Sequence, residues 1–348
     1  MIKRCTRCIM PDTVPGITFN KNGVCNFCLD YRPYIPFGRQ ALERIIDETK
    51  KLQRPFDAIV PLSGGRDSTY VLYLSKKEFG LNVLSVNYDS EFKNSQALRN
   101  MENACRRLGV ELIIVRSKRD LATRFVRNTL QAANSPREFN VCGLCGYGNK
   151  AVVWHIAHEH QVPLILWGSA SVESTPAMIN KIWPHMKRSE FRHKRLFKLS
   201  FIRAQIDAVL HRMEFPLPGH FPLSRKPAAI HDKDIRLISL FDYIPWERQK
   251  IKRTIQEELG WKKPDDHVST WRIDCKLDRI VTFEFFKLFG CSKHCFGYTQ
   301  MINSGQMTRE EALAQEEVMA ATYLDGMKDY LIEVIGLSAK QADRILAF

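Results

Sequence analysis

Residues 57–74 read Asp57-Ala58-Ile59-Val60-Pro61-Leu62-Ser63-Gly64-Gly65-Arg66-Asp67-Ser68-Thr69-Tyr70-Val71-Leu72-Tyr73-Leu74. An apolar run breaks into Ser-Gly-Gly and resumes as a helical pattern. Such a break leaves backbone N–H groups unpaired and pointing one way, and the helix dipole adds to their attraction for an anion. The two glycines let the main chain turn tightly and approach a ligand closely. The run is not a Walker A motif, which needs four residues between its glycines and a Lys before Ser/Thr. An ordinary strand-to-helix turn is the plain alternative; the full strand–SGG–x–D–S–helix context favours a phosphate cradle.

SGGRDS at 63–68 resembles the SGGxDS loop of the PP-loop ATP pyrophosphatases. In that family the loop grips the pyrophosphate end of ATP while the α-phosphate is attacked. The resemblance implies nucleotide contacts from Leu62, Ser63, Gly64, Gly65, Arg66, Asp67 and Ser68, with Ser63 and Asp67 also catalytic. Outward from the loop, strands are expected at 58–62, 83–88, 111–115 and 164–168. Helices are expected at 68–79, 95–108, 121–132 and 150–159. Strands alternating with helices argue a parallel sheet. The expected fold class is α/β, a doubly wound parallel sheet of the adenine nucleotide α-hydrolase-like type. Adenine would then lie near Leu62, Asn87 and Asp89, with Trp167 and Gly168 closing from the fourth strand.

After Gly168 the pattern weakens. The Pro-rich stretch 213–227 reads as a loop and 235–240 as one more strand. Helices are expected at 40–52, 245–259, 276–289, 308–325 and 338–346, the fourth with Thr308 as N-cap and Glu311 completing a capping box. The expected organisation is a zinc-binding knuckle at 1–35, a PP-loop ATP-binding α/β domain at 55–245 and a helical C-terminal region at 246–348. At 348 residues the chain can bury cores of that size.

Ten cysteines in a chain with no apolar leader-like start point to metal or chemistry rather than disulfides. Cys5-x-x-Cys8, sixteen residues, then Cys25-x-x-Cys28 is four-thiolate zinc spacing. A closed site of that kind folds a short segment and leaves no open position for catalysis. The second pair, Cys142 and Cys145, stands before the helix expected at 150–159, in a loop that could reach the ATP site. A third sulfur must come from afar, and Cys275 is the choice over Cys291, Cys295 and His294. Cys142, Cys145 and Cys275 would hold a second zinc or an iron–sulfur cluster; thiol chemistry and plain burial stay open. Cys105 reads as core. His155, His158 and His160 share a helix but lack ligand spacing, so surface or capping roles are expected.

The formal charge of +14 calls for an anionic partner. The basic, aromatic-interleaved stretch 187–198 reads as a solvated face, as a docking site for phosphates or a partner, or as an RNA contact. No run approaches the roughly 18 apolar residues of a membrane span, and Met1 to Cys8 lacks a signal peptide's apolar region. The expectation is a cytoplasmic protein.

Three further stretches resemble the N-acetyl sugar amidotransferases of bacterial surface-polysaccharide (lipopolysaccharide O-antigen) synthesis: CTRCIMPDTVPGITFNKNGVCNFC at 5–28, DYIPWERQKIKRTIQEELGW at 242–261 and TWRIDCKLD at 270–278. The resemblance implies an AMP-forming ligase that uses ATP and Mg²⁺ to adenylylate the acetamido oxygen of a nucleotide-linked sugar. Ammonia then displaces AMP to give an acetamidino group. It also implies that separate glutaminase and cyclase-like subunits supply the ammonia. The chain agrees, since Gly143-Leu144-Cys145-Gly146-Tyr147 fails the G-x-C-x-G of a class I glutaminase and Ile2 stands where an N-terminal nucleophile would be. Nucleic acid is not the expected partner, although tRNA thiolation by a PP-loop enzyme is the alternative that the charge would suit. A nucleotide-binding scaffold without catalysis is a third reading.

Overall fold

The computed structural model describes residues 2–116, 120–139, 141–170, 235–265 and 267–348. The basic stretch 187–198 and the loop expected at 213–227 lie outside the described residues. Within them, β1 (Ala58–Pro61), β2 (Val83–Asp89), β3 (Glu111–Arg116), β4 (Leu164–Trp167) and β5 (Arg236–Ser239) form one sheet. Its order is β3-β2-β1-β4-β5, and every neighbouring pair is parallel. The chain winds outward from β1 through β2 to β3, then returns to the other side of β1 for β4. Order therefore reverses between β1 and β4, and a crevice opens beyond their carboxyl ends.

Alternation along the strands sorts side chains onto two faces. Ala58, Val60 and Leu62 enter one core and Ile59 the other. All seven residues of β2 are buried, as a strand covered on both faces requires. Helix α6 (Gly143–Glu159) covers the Ile59 face through Val152, Val153, Ile156 and Ala157. The opposite core takes in α3 (Arg66–Tyr73) and α4 (Ser95–Leu108). Asn94 caps α4 by accepting from Gln96 N–H, and Gly109 ends it in the left-handed conformation. The helix expected at 68–79 begins earlier and closes in a π-helical turn, Leu74–Glu78.

That second core continues without a break into the N-terminal knuckle and the C-terminal helices. Among the described residues these are α1 (Asn26–Leu29), α2 (Arg39–Lys50), α5 (Leu121–Ala132), α7 (Arg248–Leu259), α8 (Asp278–Phe289), α9 (His294–Asn303), α10 (Arg309–Leu324), α11 (Met327–Glu333) and α12 (Ala339–Leu346). The Thr308–Glu311 capping box forms at α10, and Ser338 with Gln341 makes another at α12. No described helix is long and apolar enough to cross a membrane.

Two helices depart from the sequence pattern for packing reasons. Helix α6 starts at Gly143 rather than 150, so Cys142 is its N-cap and Cys145 lies in its first turn. Three glycines there read as loop, but an added Cβ on Gly148 would lie 2.4 Å from Tyr88 Cε1. Glycine at that point lets the helix sit on the sheet. Helix α9 was not anticipated, because its sequence carries no apolar period; Trp271 packs directly on its Gly297.

Candidate functional site

The Ser-Gly-Gly loop leaves β1 at the sheet's switch point and enters α3 with Gly65 as N-cap. Gly64 holds φ +78°, and an ideal Cβ there would stand 2.1 Å from the Ala97 carbonyl oxygen of α4. The loop thus lies flat on α4, a position open only to glycine. Gly168, just past β4, approaches α3 from the other side; its added Cβ would be 3.1 Å from the Ser68 backbone. Loop and β4 exit together form the crevice floor.

Ser63 and Ser68 knit the loop. Ser63 N–H donates to Ser68 Oγ (3.2 Å), Gly65 N–H donates to Ser63 Oγ (3.2 Å), and the two hydroxyl oxygens are 3.1 Å apart. Thr69 Oγ1 donates to the Gly65 carbonyl (2.7 Å). Leu62 is buried, and its carbonyl accepts from Asn87 Nδ2 (2.6 Å), tying the ends of β1 and β2 together. Asn87 Oδ1 is buried without a partner among the described residues. Asn87 and Asp89 close β2 itself rather than following it, and Asp89 pairs with Arg116 (3.1 Å).

The helical region braces this loop from outside. Trp261 Nε1 donates to the Gly64 carbonyl (3.0 Å), which also accepts from Asn100 Nδ2 (3.2 Å). Trp246 Nε1 donates to Asp67 Oδ1 (2.9 Å). Arg66 is buried to 2% exposure, with its guanidinium 4.8 Å from the Trp246 ring centre. It binds Asp67 through Nε and Nη2 and donates from Nη1 to Thr270 Oγ1 (2.9 Å). Segment 270–278 then runs beside the residues leading into α4: Asn94 N–H donates to the Asp274 carbonyl, Lys276 N–H to the Phe92 carbonyl, and Lys93 lies 4.0 Å from Asp274. Sequence reasoning missed Trp246, Trp261, Asn100, Thr270 and Asp274 as loop contacts. The signal was present, since all but Asn100 lie in the stretches 242–261 and 270–278.

Of the second cysteine set only Cys275 lies on this strap, and the sulfurs of Cys142, Cys145 and Cys275 do not come within 4.8 Å of one another as a group. Cys275 is buried and bridges to Lys93. Burial first, and then Asp274, Cys142 and Cys145 against the opposing pull of Arg272, push its thiol up to about 12. Cys142 is exposed and Cys145 half-buried, with Asn149 Nδ2 3.4 Å from the Cys145 sulfur. The rivals lie elsewhere: Cys295 faces the Ile9 carbonyl behind the knuckle (3.8 Å), and Cys291 is fully buried with it. His294 is committed to Asp278 (3.0 Å). Burial raises the Asp278 carboxyl, but His294 together with Lys293 and Arg272 outweighs it and holds the group below its ordinary value. Cys105 is a buried core residue, and His155 pairs with Glu159.

Cys5, Cys8, Cys25 and Cys28 are all buried with their sulfurs within 4.8 Å of one another, the single such group among the described residues. Cys8 and Cys25 sulfurs are 3.7 Å apart. Backbone N–H groups of Cys8, Met10 and Cys25 and the Asn303 amide point at these sulfurs. Arg309 clamps the Cys5 and Cys8 carbonyls from α10. The bond to Cys28 and then burial push Cys25 up to about 12. Four thiolates collect in such a place only around a metal, so the donor set fits zinc or an iron–sulfur centre.

Residues 57–138 match the profile of the queuosine biosynthesis protein QueC. Over 318 residues the chain is 23% identical to an uncharacterised protein of Methanocaldococcus jannaschii, covering 90% of this chain and 93% of the other. It is similar to the solved U34-tRNA thiolase NcsA of Methanococcus maripaludis (16% identity, TM-score 0.38, 88% of this chain and 87% of that one). It is also similar to the NMN synthetase of Francisella tularensis (11% identity, TM-score 0.39, 86% and 94%) and the NH3-dependent NAD synthetase of Campylobacter jejuni (15%, TM-score 0.32, 49% and 83%). The QueC match and the switch-point cradle make the chain a PP-loop enzyme of the ATP-pyrophosphatase type, in the adenine nucleotide α-hydrolase-like superfamily.

Proposed function

We propose that this PP-loop enzyme is an AMP-forming amidotransferase acting on the acetamido group of a nucleotide-linked sugar. One observation carries the reading. The stretches that resemble the sugar amidotransferases, 242–261 and 270–278, supply Trp246, Trp261 and Thr270 to the loop and bring Asp274 beside Gly65. A shared ATP loop alone would not require that strap.

In this reading the loop N–H groups and the Ser63 and Ser68 hydroxyls hold the β- and γ-phosphates, Mg²⁺ accompanying them. Arg66, locked against Asp67, Thr270 and Trp246, fixes the start of α3. The acetamido oxygen attacks the α-phosphorus, the bond to the β-phosphate oxygen breaks, and pyrophosphate leaves. Neutral ammonia then adds to the imidate carbon and the C–O bond to AMP breaks, leaving an amidinium. Preorganised donors favour this because charge builds on the leaving pyrophosphate. Asn87, Asp89 and Gly168 flank the nucleoside. Separate glutaminase and cyclase-like subunits deliver the ammonia.

The four N-terminal thiolates hold zinc in this reading. A 3.7 Å sulfur separation matches the edge of a tetrahedron with bonds of about 2.3 Å. Cys142, Cys145 and Cys275 would have to close up on one another to hold a second metal, which would then supply Lewis-acid or positioning chemistry. The test is formation of AMP and pyrophosphate from ATP, an acetamido nucleotide-sugar and ammonium. ADP instead of AMP, or no turnover, refutes it. A second reading, tRNA thiolation, draws on the +14 charge; sulfur incorporation into tRNA would select it.

A further inference from the structure

Beside the loop is a second, differently built cavity of about 470 Å³. Arg248 and Lys252 line one wall from successive turns of α7, Lys262 and Lys263 come from the turn that follows, and Thr270 and Asp265 come from the next segment. Residues four apart on a helix stand side by side, about 6 Å from one another. Four cations thus converge on one concavity against a single carboxylate. Arg248, Lys252 and Lys262 have no carboxylate partner among the described residues. Arg248 Nη1 is buried with no acceptor among the described residues. An unpartnered buried guanidinium nitrogen among like charges is costly unless an anion fills the place.

The cavity and the loop share a wall. Thr270 lines the cavity and accepts from Arg66, while Lys262 follows Trp261 and takes Asn100 Oδ1 on its backbone N–H (3.1 Å). None of its described lining residues belongs to the loop itself. A ligand seated here would sit next to the nucleotide without occupying its phosphate cradle. The volume falls in the range of about 300–1,000 Å³ for small-molecule sites, and a half-open concavity of that size suits a compact ligand better than a duplex surface. Cations contributed as two pairs, from α7 and from the turn after it, fit two adjoining phosphoryl groups, each taking charge-assisted bonds.

We infer that this cavity is the subsite for a nucleoside diphosphate, namely the diphosphate end of the sugar donor. The inference rests on the proposed reaction for its choice of ligand and extends it by locating the substrate. The probe is UDP, titrated into the full chain by calorimetry with the loop already filled by α,β-methylene-ATP. The expected result is UDP binding that persists under the ATP mimic. It weakens at least about tenfold in a Lys252→Ala/Lys262→Ala variant, while affinity for the ATP mimic stays within about twofold and Lys252→Arg largely retains UDP. Both lysines reach solvent at least in part, and the ATP mimic reports folding in the same sample. Displacement of UDP by the mimic, or unaltered UDP affinity in the double variant, overturns the inference. Loss of tRNA binding in that variant with UDP unaffected overturns it in favour of RNA. UDP binding that depends on both lysines while no AMP forms from the acetamido substrate leaves the subsite standing and sinks the proposed reaction.

Discussion

Replacing Gly64 with alanine strikes the loop in two ways at once. At φ +78° an L-residue costs about 1–2 kcal/mol for its left-handed backbone. The new methyl would also stand 2.1 Å from the Ala97 carbonyl oxygen, 2.7 Å from its carbon and 3.0 Å from its Cα. Those atoms belong to a helix backbone, so relief requires moving the loop off α4 by about 1 Å, which breaks close packing. That movement also pulls the Gly64 carbonyl from Trp261 and Asn100, two bonds worth about 1 kcal/mol each. The sum is a loss of more than about 3 kcal/mol, at the severe end of single substitutions. Gly109→Ala is the internal control: φ is +60° but nothing lies within 4 Å, so only the backbone cost of about 1–2 kcal/mol applies. Urea unfolding of both variants, with calorimetric binding of an ATP mimic, is the assay. If Gly64→Ala unfolds no more readily than Gly109→Ala and binds the mimic within twofold of the parent, the close approach of loop to α4 is refuted.

Trp246→Phe keeps a ring over Arg66 but removes the donor to Asp67 Oδ1; an unfolding cost of about 1 kcal/mol with a larger fall in AMP formation is expected, and equal activity would deny the brace a role. Chelation of the purified protein, or Cys25→Ser, should empty the four-thiolate site by elemental analysis. Either should expose amides of the knuckle to hydrogen exchange, because Ile9, Met10 and Phe27 share the core with the metal ligands; unaltered protection would refute a structural metal. Burial raises Glu284 from 4.5 to about 8, with Lys293 opposing. A carboxyl raised on folding stabilises most below its unfolded value, and that contribution is lost as pH rises from 4.5 towards 8. Glu284→Gln should flatten the decline in stability over that window, and a parent-like profile would show the group to be solvated.

Features written in short-range chemistry were legible. The strand–Ser-Gly-Gly–helix run, the β-branched strand segments, the Thr308–Glu311 box and the paired C-x-x-C knuckles each involve residues close in sequence, and each forms as its spacing implies. The start of α6 was not legible, because glycine reads locally as a breaker while its Tyr88 packing partner lies 60 residues away in sequence. Helix α9 was hidden for the same reason, with Trp271 sitting on Gly297.

The amino-acid sequence alone determined that a cradle-shaped glycine turn ends the first strand and that four thiols share one place, because hydrogen-bond donors, turn residues and ligand spacing act over a few positions. Only the tertiary structure decided what holds that cradle in shape. Trp246 and Trp261 reach Asp67 and Gly64 across 179 and 197 residues, and a contact of that span exists only after the sheet has closed and the helices have docked on it.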